Sequence, residues 1–172
     1  MHIINFEFKA KTTRLQELEQ LLQQKKPRFI GEDYQTDTYY NVAKGRLKLR
    51  EGNIENALIY YDRTDIASPK QSDIILYKHN PDKALKDILT TVHGIKVVVA
   101  KRRKIYFIDN VKFHFDKVEG LGTFIEVEAI DNNGTCAIGD LQNQCNYYAS
   151  FFEVHQNDYI QNSYSDLLLE KS

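Results

Sequence analysis

Residues 111–129 read VKFHFDKVEGLGTFIEVEA. Val111, Phe113 and Phe115 alternate with Lys112, His114 and Asp116. Gly120-Leu121-Gly122 interrupts the pattern, and from Phe124 it resumes with Glu126 and Glu128 opposite Ile125, Val127 and Ala129. Side chains two apart in a strand share a face, so the two glutamates project side by side, roughly 7 Å apart along the strand. Adjacent carboxylates repel unless a lysine, an arginine, water or a divalent metal lies between them. The stretch reads as two strands, each with one apolar and one charged face.

The same period recurs outward along the chain. Ile3 to Ala10 sets Ile4, Phe6 and Phe8 against Asn5, Glu7 and Lys9, and Arg46 to Arg50 sets three cations against Leu47 and Leu49. Residues 34–42, Ala57 to Arg63, Ser72 to Lys78, and Val97 to Phe107 with its Lys101-Arg102-Arg103-Lys104 run are also β-prone. The stretch 64–71, holding Pro69, reads as a loop, and Asp109-Asn110 as a two-residue turn into Val111. Thr13 followed by Gln16 reads as a capping box ahead of Leu15, Leu18 and Leu22. Asn80-Pro81 reads as an N-cap and first helical position before Leu85, Ile88, Leu89 and Val92, with Gly94 closing that helix. Ile138, Leu141, Cys145, Tyr148 and Phe152 fit a third helix, and Leu167-Leu168-Leu169 is a short apolar tail. About eight strands joined by short connections, with two or three helices, predict a β-dominated α+β fold. Its centre is a closed or nearly closed antiparallel barrel flanked by helices.

A length of 172 residues fits a single domain over 1–172. Charged residues are 27% of the chain and balance to −1, which gives no argument for nucleic-acid binding, and 42% apolar content excludes general disorder. No apolar run approaches a membrane span, and Met-His-Ile-Ile-Asn does not read as a signal peptide. Cys136 and Cys145, about 13 Å apart if on one helix, read as free thiols of a reducing cytoplasm.

A strand with one charged face ordinarily turns its charges to water. Here many strands do so together, and the amphipathic helices need apolar sheet faces such as Phe6/Phe8, Leu47/Leu49 and Phe113/Phe115 to cover. Helices on the outside of a barrel turn the charged faces inward. A charge-lined interior is costly unless its charges pair or meet a counter-ligand. Arginines and lysines suit phosphate oxygens, and hard carboxylates suit Mg²⁺ or Mn²⁺, so together they describe a site for a metal-bound polyphosphate. There is no P-loop, GxGxxG, HExxH or CxxC. His114 has the inward parity and reads as an ordinary hydrogen-bonded histidine rather than a ligand. The Lys101–Lys104 run alone reads as a solvated charge run.

Asn5-Phe6-Glu7-Phe8-Lys9, Thr36-Asp37-Thr38-Tyr39-Tyr40, Arg46 to Glu51, Tyr60-Tyr61-Asp62-Arg63, Lys101-Arg102-Arg103, Asp116 to Gly122 and Phe124 to Glu128 follow one another in an order and spacing that resembles the CYTH superfamily. These are the triphosphate tunnel enzymes, which include class IV adenylyl cyclases and thiamine triphosphatases. The resemblance implies an eight-stranded antiparallel tunnel that grips a triphosphate, with Mg²⁺ or Mn²⁺ as cofactor. It implies Glu7, Glu126 and Glu128 as metal ligands, with Asp116 near the metal or in an ion pair. It implies Lys9, Lys48, Arg50, Arg63, Lys101 and Arg103 as triphosphate-binding residues, Lys9 and Asp37 as catalytic ones, and Arg46 at the mouth. The reaction implied first is that of a class IV adenylyl cyclase, ATP to cyclic AMP and pyrophosphate. An organic or inorganic triphosphatase, or a non-catalytic module for a phosphorylated ligand, stays open beside it. The implied partner is a triphosphate-containing small molecule, with no membrane and no nucleic acid; a homodimer is compatible. One departure stands out: Asn5 occupies a position where the family signature has glutamate, which removes a negative charge.

Overall fold

Strands of period two have one apolar and one charged face, and closing eight of them edge to edge gives all the charged faces a common interior. The computed structural model describes residues 1–62 and 67–172 and forms this barrel. Its strands are β1 (His2–Lys11), β2 (Arg28–Tyr40), β3 (Arg46–Glu51), β4 (Ala57–Asp62), β5 (Lys70–Lys78), β6 (Ile95–Ile108), β7 (Val111–Val118) and β8 (Gly122–Asp131). They pair antiparallel in the order β1-β5-β4-β3-β2-β6-β7-β8, and β8 returns to β1. The helices are α1 (Leu15–Gln23), α2 (Lys83–His93), α3 (Ile138–Phe151) and α4 (Tyr164–Lys171).

Outside the barrel, Phe6, Phe8, Phe113, Phe115, Ile125 and Val127 form one core with Leu18 and Leu22 of α1 and Leu141, Cys145, Tyr148 and Phe152 around α3. On the far side α2 lays Leu85 and Leu89 over Leu47, Leu49 and Leu58. The third cluster lies at one end of the barrel. There Tyr164, Leu167 and Leu168 of α4 pack on Tyr39, Tyr61, Val99, Val118, Leu121 and Phe124. Arg46 ties this helix down through Asp166 at 2.7 Å, and Lys171 reaches the Gly120 carbonyl at 2.7 Å.

Several expected boundaries move. β2 starts at Arg28 because it pairs with β6 over almost its whole length, through a register shift between Phe29 and Gly31. β5 starts at Lys70, inside the expected loop, because Glu7 opposite supplies a partner in register; of that loop, residues 64–66 lie outside the described residues, as does Arg63. The Thr13 capping box does not form: α1 begins after Arg14, whose amide donates to Thr12 Oγ1 at 2.9 Å. The cap of α2 is Asp82 rather than Asn80, its carboxylate accepting from the Ala84 amide at 2.8 Å. Gly94 does close α2, at φ +72°, a conformation that favours glycine. The apolar tail is a fourth helix, opened by a capping box between Ser163 and Asp166. Cys136 precedes α3 and is exposed, while Cys145 is buried within it; both are free.

Phe113 is fully buried between barrel and α3, edge-on to Tyr148 at 4.7 Å between ring centroids. Phe113→Ala should therefore cost about 3–5 kcal/mol, read in urea unfolding as a lower midpoint at unchanged slope. A loss under about 1 kcal/mol would place α3 outside the cooperative core.

Candidate functional site

The inward positions converge on a cavity of about 860 Å³ along the barrel axis. Asn5, Glu7 and Lys9 come from β1, Lys48 and Arg50 from β3, Lys101 and Arg103 from β6, Lys112 and His114 from β7, and Glu126 and Glu128 from β8. Met1, Ile3, Ile54, Leu76, Phe107 and Ile130 line its open end. Tyr164 of α4 lines the opposite end, with Lys9 Nζ 3.9 Å above its ring.

One wall is organised by Asp37, which is fully buried and pairs in register with Arg50 across β2 and β3. Arg50 donates Nε to Oδ1 and Nη2 to Oδ2, both at 2.9 Å. Lys101 Nζ lies 2.7 Å and Lys48 Nζ 3.2 Å from Oδ2. Burial pushes the Asp37 carboxyl up, but Arg50, Lys101 and Lys48 outweigh it and hold the pKa well below the usual carboxylate range. Lys101 is lowered to about 7, by burial first and by Arg50, Arg103 and Lys48 against the pull of Asp37.

Asp116 plays the same part for Arg103, its in-register partner on β6. The guanidinium donates to both carboxylate oxygens, at 2.7 and 2.6 Å, and Tyr164 Oη donates to Oδ2 at 2.7 Å. Neither Asp37 nor Asp116 is among the residues lining the cavity. With both oxygens taken, Asp116 is an ion-pair partner, and Asp37 stands behind its cations rather than facing the cavity.

The other wall is acidic. Arg103 Nη2 donates to Glu126 Oε2 at 2.9 Å, and Lys9 Nζ lies 3.9 Å from the same oxygen. Burial raises the Glu126 pKa, but Lys9 and Arg103 hold it well below the usual range. Glu128 is pushed up to about 8, by burial first, then by Glu126 and Glu7, against the smaller pull of Lys112 and Arg103. Glu7 accepts from Asn5 Nδ2 at 3.3 Å and from Ser72 Oγ at 3.4 Å, whereas Asn5 Oδ1 is buried with no hydrogen-bond partner. His114 Nδ1 lies 3.5 Å from Glu126 Oε2 and 3.7 Å from Glu128 Oε1, yet neither ring nitrogen makes a hydrogen bond. The expectation of an ordinary hydrogen-bonded histidine is corrected there.

Of the residues expected at the site, Glu7, Lys9, Lys48, Arg50, Lys101, Arg103, Glu126 and Glu128 thus share one cavity. Arg46 lies at the end covered by α4, and Arg63 is outside the described residues. Glu55 was not expected. It stands in the β3–β4 loop, where Oε2 accepts from Arg50 Nη1 at 3.1 Å and from Gln35 at 3.2 Å, while Oε1 pairs with Lys112 of β7. Asp33 fixes this loop by accepting the Ile54 and Glu55 amides, both at 2.9 Å. A Cβ on Gly52 would fall 2.5 Å from Asp33 Oδ1, so the loop closes only around glycine. Lys70, placed in a loop by its neighbouring proline, is a buried inward residue whose Nζ reaches the Gln161 carbonyl at 2.7 Å. Nothing in the periodicity marked Glu55 or Tyr164, because both enter from outside the strands.

The CYTH domain family model matches residues 4–145. A protein from Pyrococcus horikoshii OT3 superposes with TM-score 0.79 at 21% identity, covering 95% of this chain and 98% of its own. A Vibrio parahaemolyticus protein, provisionally named an adenylate cyclase, superposes at 0.77 with 18% identity, covering 96% and 98%. A Hippeastrum protein, provisionally named an adenylyl cyclase and described by a dominant triphosphatase activity, superposes at 0.61 with 12% identity, covering 98% and 95%. No curated protein matches the chain. No helix among the described residues is long and apolar enough to cross a membrane.

The raised pKa of Glu128 has a consequence in metal-free protein. Between the ordinary value of 4.5 and about 8 the folded protein keeps a proton that the unfolded chain has lost. Stability therefore falls as pH rises through that window. In chelator, Glu128→Gln should melt higher than the parent at pH 8.5 and little differently at pH 5. An equal difference at both pH values would show that Glu128 holds no proton in the folded state.

Proposed function

The chain belongs to the CYTH family, and on that premise we propose that it is a divalent-metal-dependent enzyme that grips an organic triphosphate in its barrel and cleaves it, with ATP cyclisation the leading reaction. What supports this is the facing of two walls across one cavity. Lys9, Lys48, Arg50, Lys101 and Arg103 present cations to it, and Glu7, Glu126 and Glu128 present carboxylates. Each cation is matched by a buried or wall carboxylate, so the barrel is neutral enough to fold and still presents N–H donors to an incoming anion.

Divalent metal fits the acidic wall. Glu128 is pushed up to about 8 by burial and then by the neighbouring Glu126 and Glu7, and Asn5 Oδ1 is a buried oxygen without a donor. Glu7, Glu126 and Glu128 would hold the ion, which supplies charge neutralisation to the phosphate oxygens and orients them for displacement. The chain's own groups do the rest. Arg50 and Arg103, held rigid by Asp37 and Asp116, offer fixed guanidinium edges to phosphate oxygens. Lys101, lowered to about 7, gains its proton fully when a phosphate oxygen arrives opposite it. Lys9, lying between Glu126 and the Tyr164 ring, neutralises charge on the departing phosphate. Asp37 acts as a positioning residue for three of the cations.

The apolar residues at the open end, set among Lys78, Asn80 and Asn133, favour an organic substituent over bare tripolyphosphate. In cyclisation the ribose 3′-hydroxyl attacks the α-phosphorus and pyrophosphate leaves; in hydrolysis water attacks the terminal phosphorus. Incubation with ATP, thiamine triphosphate and tripolyphosphate plus Mg²⁺ or Mn²⁺ separates these. Cyclic AMP with pyrophosphate is the expected product, ADP with phosphate would make the protein a triphosphatase, and saturable binding without product would make it a binding module.

Arg50→Ala should weaken tripolyphosphate binding about 10- to 100-fold, the worth of a charge-assisted contact. Arg102 points away from the cavity, paired with Glu32 at 2.9 Å, so Arg102→Ala should change it less than about threefold. Equal losses in calorimetric titration would indicate a diffuse surface patch instead of a tunnel site.

A further inference from the structure

We infer that His114 is a nitrogen ligand of the divalent-metal site and makes that site prefer Mn²⁺ to Mg²⁺. This rests on the reading of the barrel as metal-dependent, and it concerns a residue that reading does not use. His114 is 1% exposed, inside the barrel, in register with Glu126 on β8 and Ile105 on β6. A neutral imidazole always carries one N–H and one lone pair, and a buried one normally satisfies both. Here neither nitrogen has a hydrogen-bond partner.

The surroundings explain why. Nδ1 faces Glu126 Oε2 and Glu128 Oε1, and one ligand atom from each of the three residues lies within 4.8 Å of the others. With the ring proton on Nε2, the Nδ1 lone pair is set against the oxygens of Glu126 and Glu128, and neither contact is a hydrogen bond. Arg103 already spends Nη2 on the same Glu126 oxygen and on Asp116, and Lys112, two residues away on β7, is drawn to Glu55. A cation set among these atoms removes the repulsion and gives the imidazole nitrogen its partner.

The donor set also selects the ion. Mg²⁺ prefers oxygen ligands and gives up its waters reluctantly, whereas imidazole suits first-row transition ions. Two carboxylates and one imidazole therefore suit Mn²⁺ better than an all-oxygen set does.

The test uses the full chain with Mn²⁺ as probe. Pulsed electron paramagnetic resonance of the bound ion should show ¹⁴N modulation from imidazole, and His114→Asp should retain Mn²⁺ while losing that modulation. By competition, the parent should favour Mn²⁺ over Mg²⁺ about tenfold more strongly than His114→Asp does. Should His114→Asp fail to fold by circular dichroism, His114→Asn serves in its place, and the parent's own modulation still decides. Bound Mn²⁺ without ¹⁴N modulation, or modulation and ion preference unchanged in the variant, would overturn the assignment while leaving the metal-dependent reading intact. Absence of any Mn²⁺ binding, together with metal-independent cleavage of ATP, would overturn both.

Discussion

The buried clasp between Asp37 and Arg50, with Lys48 and Lys101 on the same carboxylate, is the interaction on which the interior depends. Cations gathered on one barrel wall lose their hydration and repel each other, and both effects lower the pKa of a buried amine, as at Lys101. A single aspartate behind three of them holds the group together without filling the space in front. Asp116 repeats the arrangement for Arg103, and Tyr164 completes the second oxygen's shell from a helix outside the barrel. Guanidinium groups fixed at their back edge are ordered before an anion arrives, so binding one costs them little further ordering, although Arg50 Nη1 already donates to Glu55.

Across the cavity the balance reverses. Glu126 is held low by Lys9 and Arg103, whereas burial, Glu126 and Glu7 push Glu128 up to about 8. The barrel is thus divided into a wall satisfied by internal ion pairs and a wall short of positive charge. Glu55 spans the two from the β3–β4 loop, touching Arg50 on one side and Lys112 on the other. In the empty barrel its carboxylate lies where an anionic ligand would contact the same two cations.

The barrel was legible because period-two alternation survives in almost every strand, and the inward charges of β1, β3, β6 and β8 follow directly from parity. Parity also put His114 inside, but could not say that its nitrogens would lack partners, since that depends on which oxygens stand opposite. The start of β5 was hidden by Pro69, and that of β2 by the mixed residues 28–33, whose extended conformation comes from pairing with β6 rather than from propensity. Glu55 and Tyr164 stayed invisible for a further reason. A loop or terminal helix is placed by tertiary closure, and no local pattern marks which of its side chains turns inward. Asp37 was visible as a residue, yet its place behind the cations follows from its register opposite Arg50, which pairing alone reveals.

The pairing of β1 with β8 has a consequence for how the protein is made. Lys9 meets Glu126 in register, and Glu7 meets Glu128, so the acidic wall joins one strand to another that emerges more than a hundred residues later. Contacts of such long sequence separation form late and slowly, because a long loop must close before they are rewarded. Until β8 docks, β1 has one edge open, with its Phe6 and Phe8 face also waiting for a helix that follows β8. The nascent chain therefore carries an unguarded apolar strand until β8 and α3 have been made. The residues that will hold the ligand come together only in the step that removes this exposure.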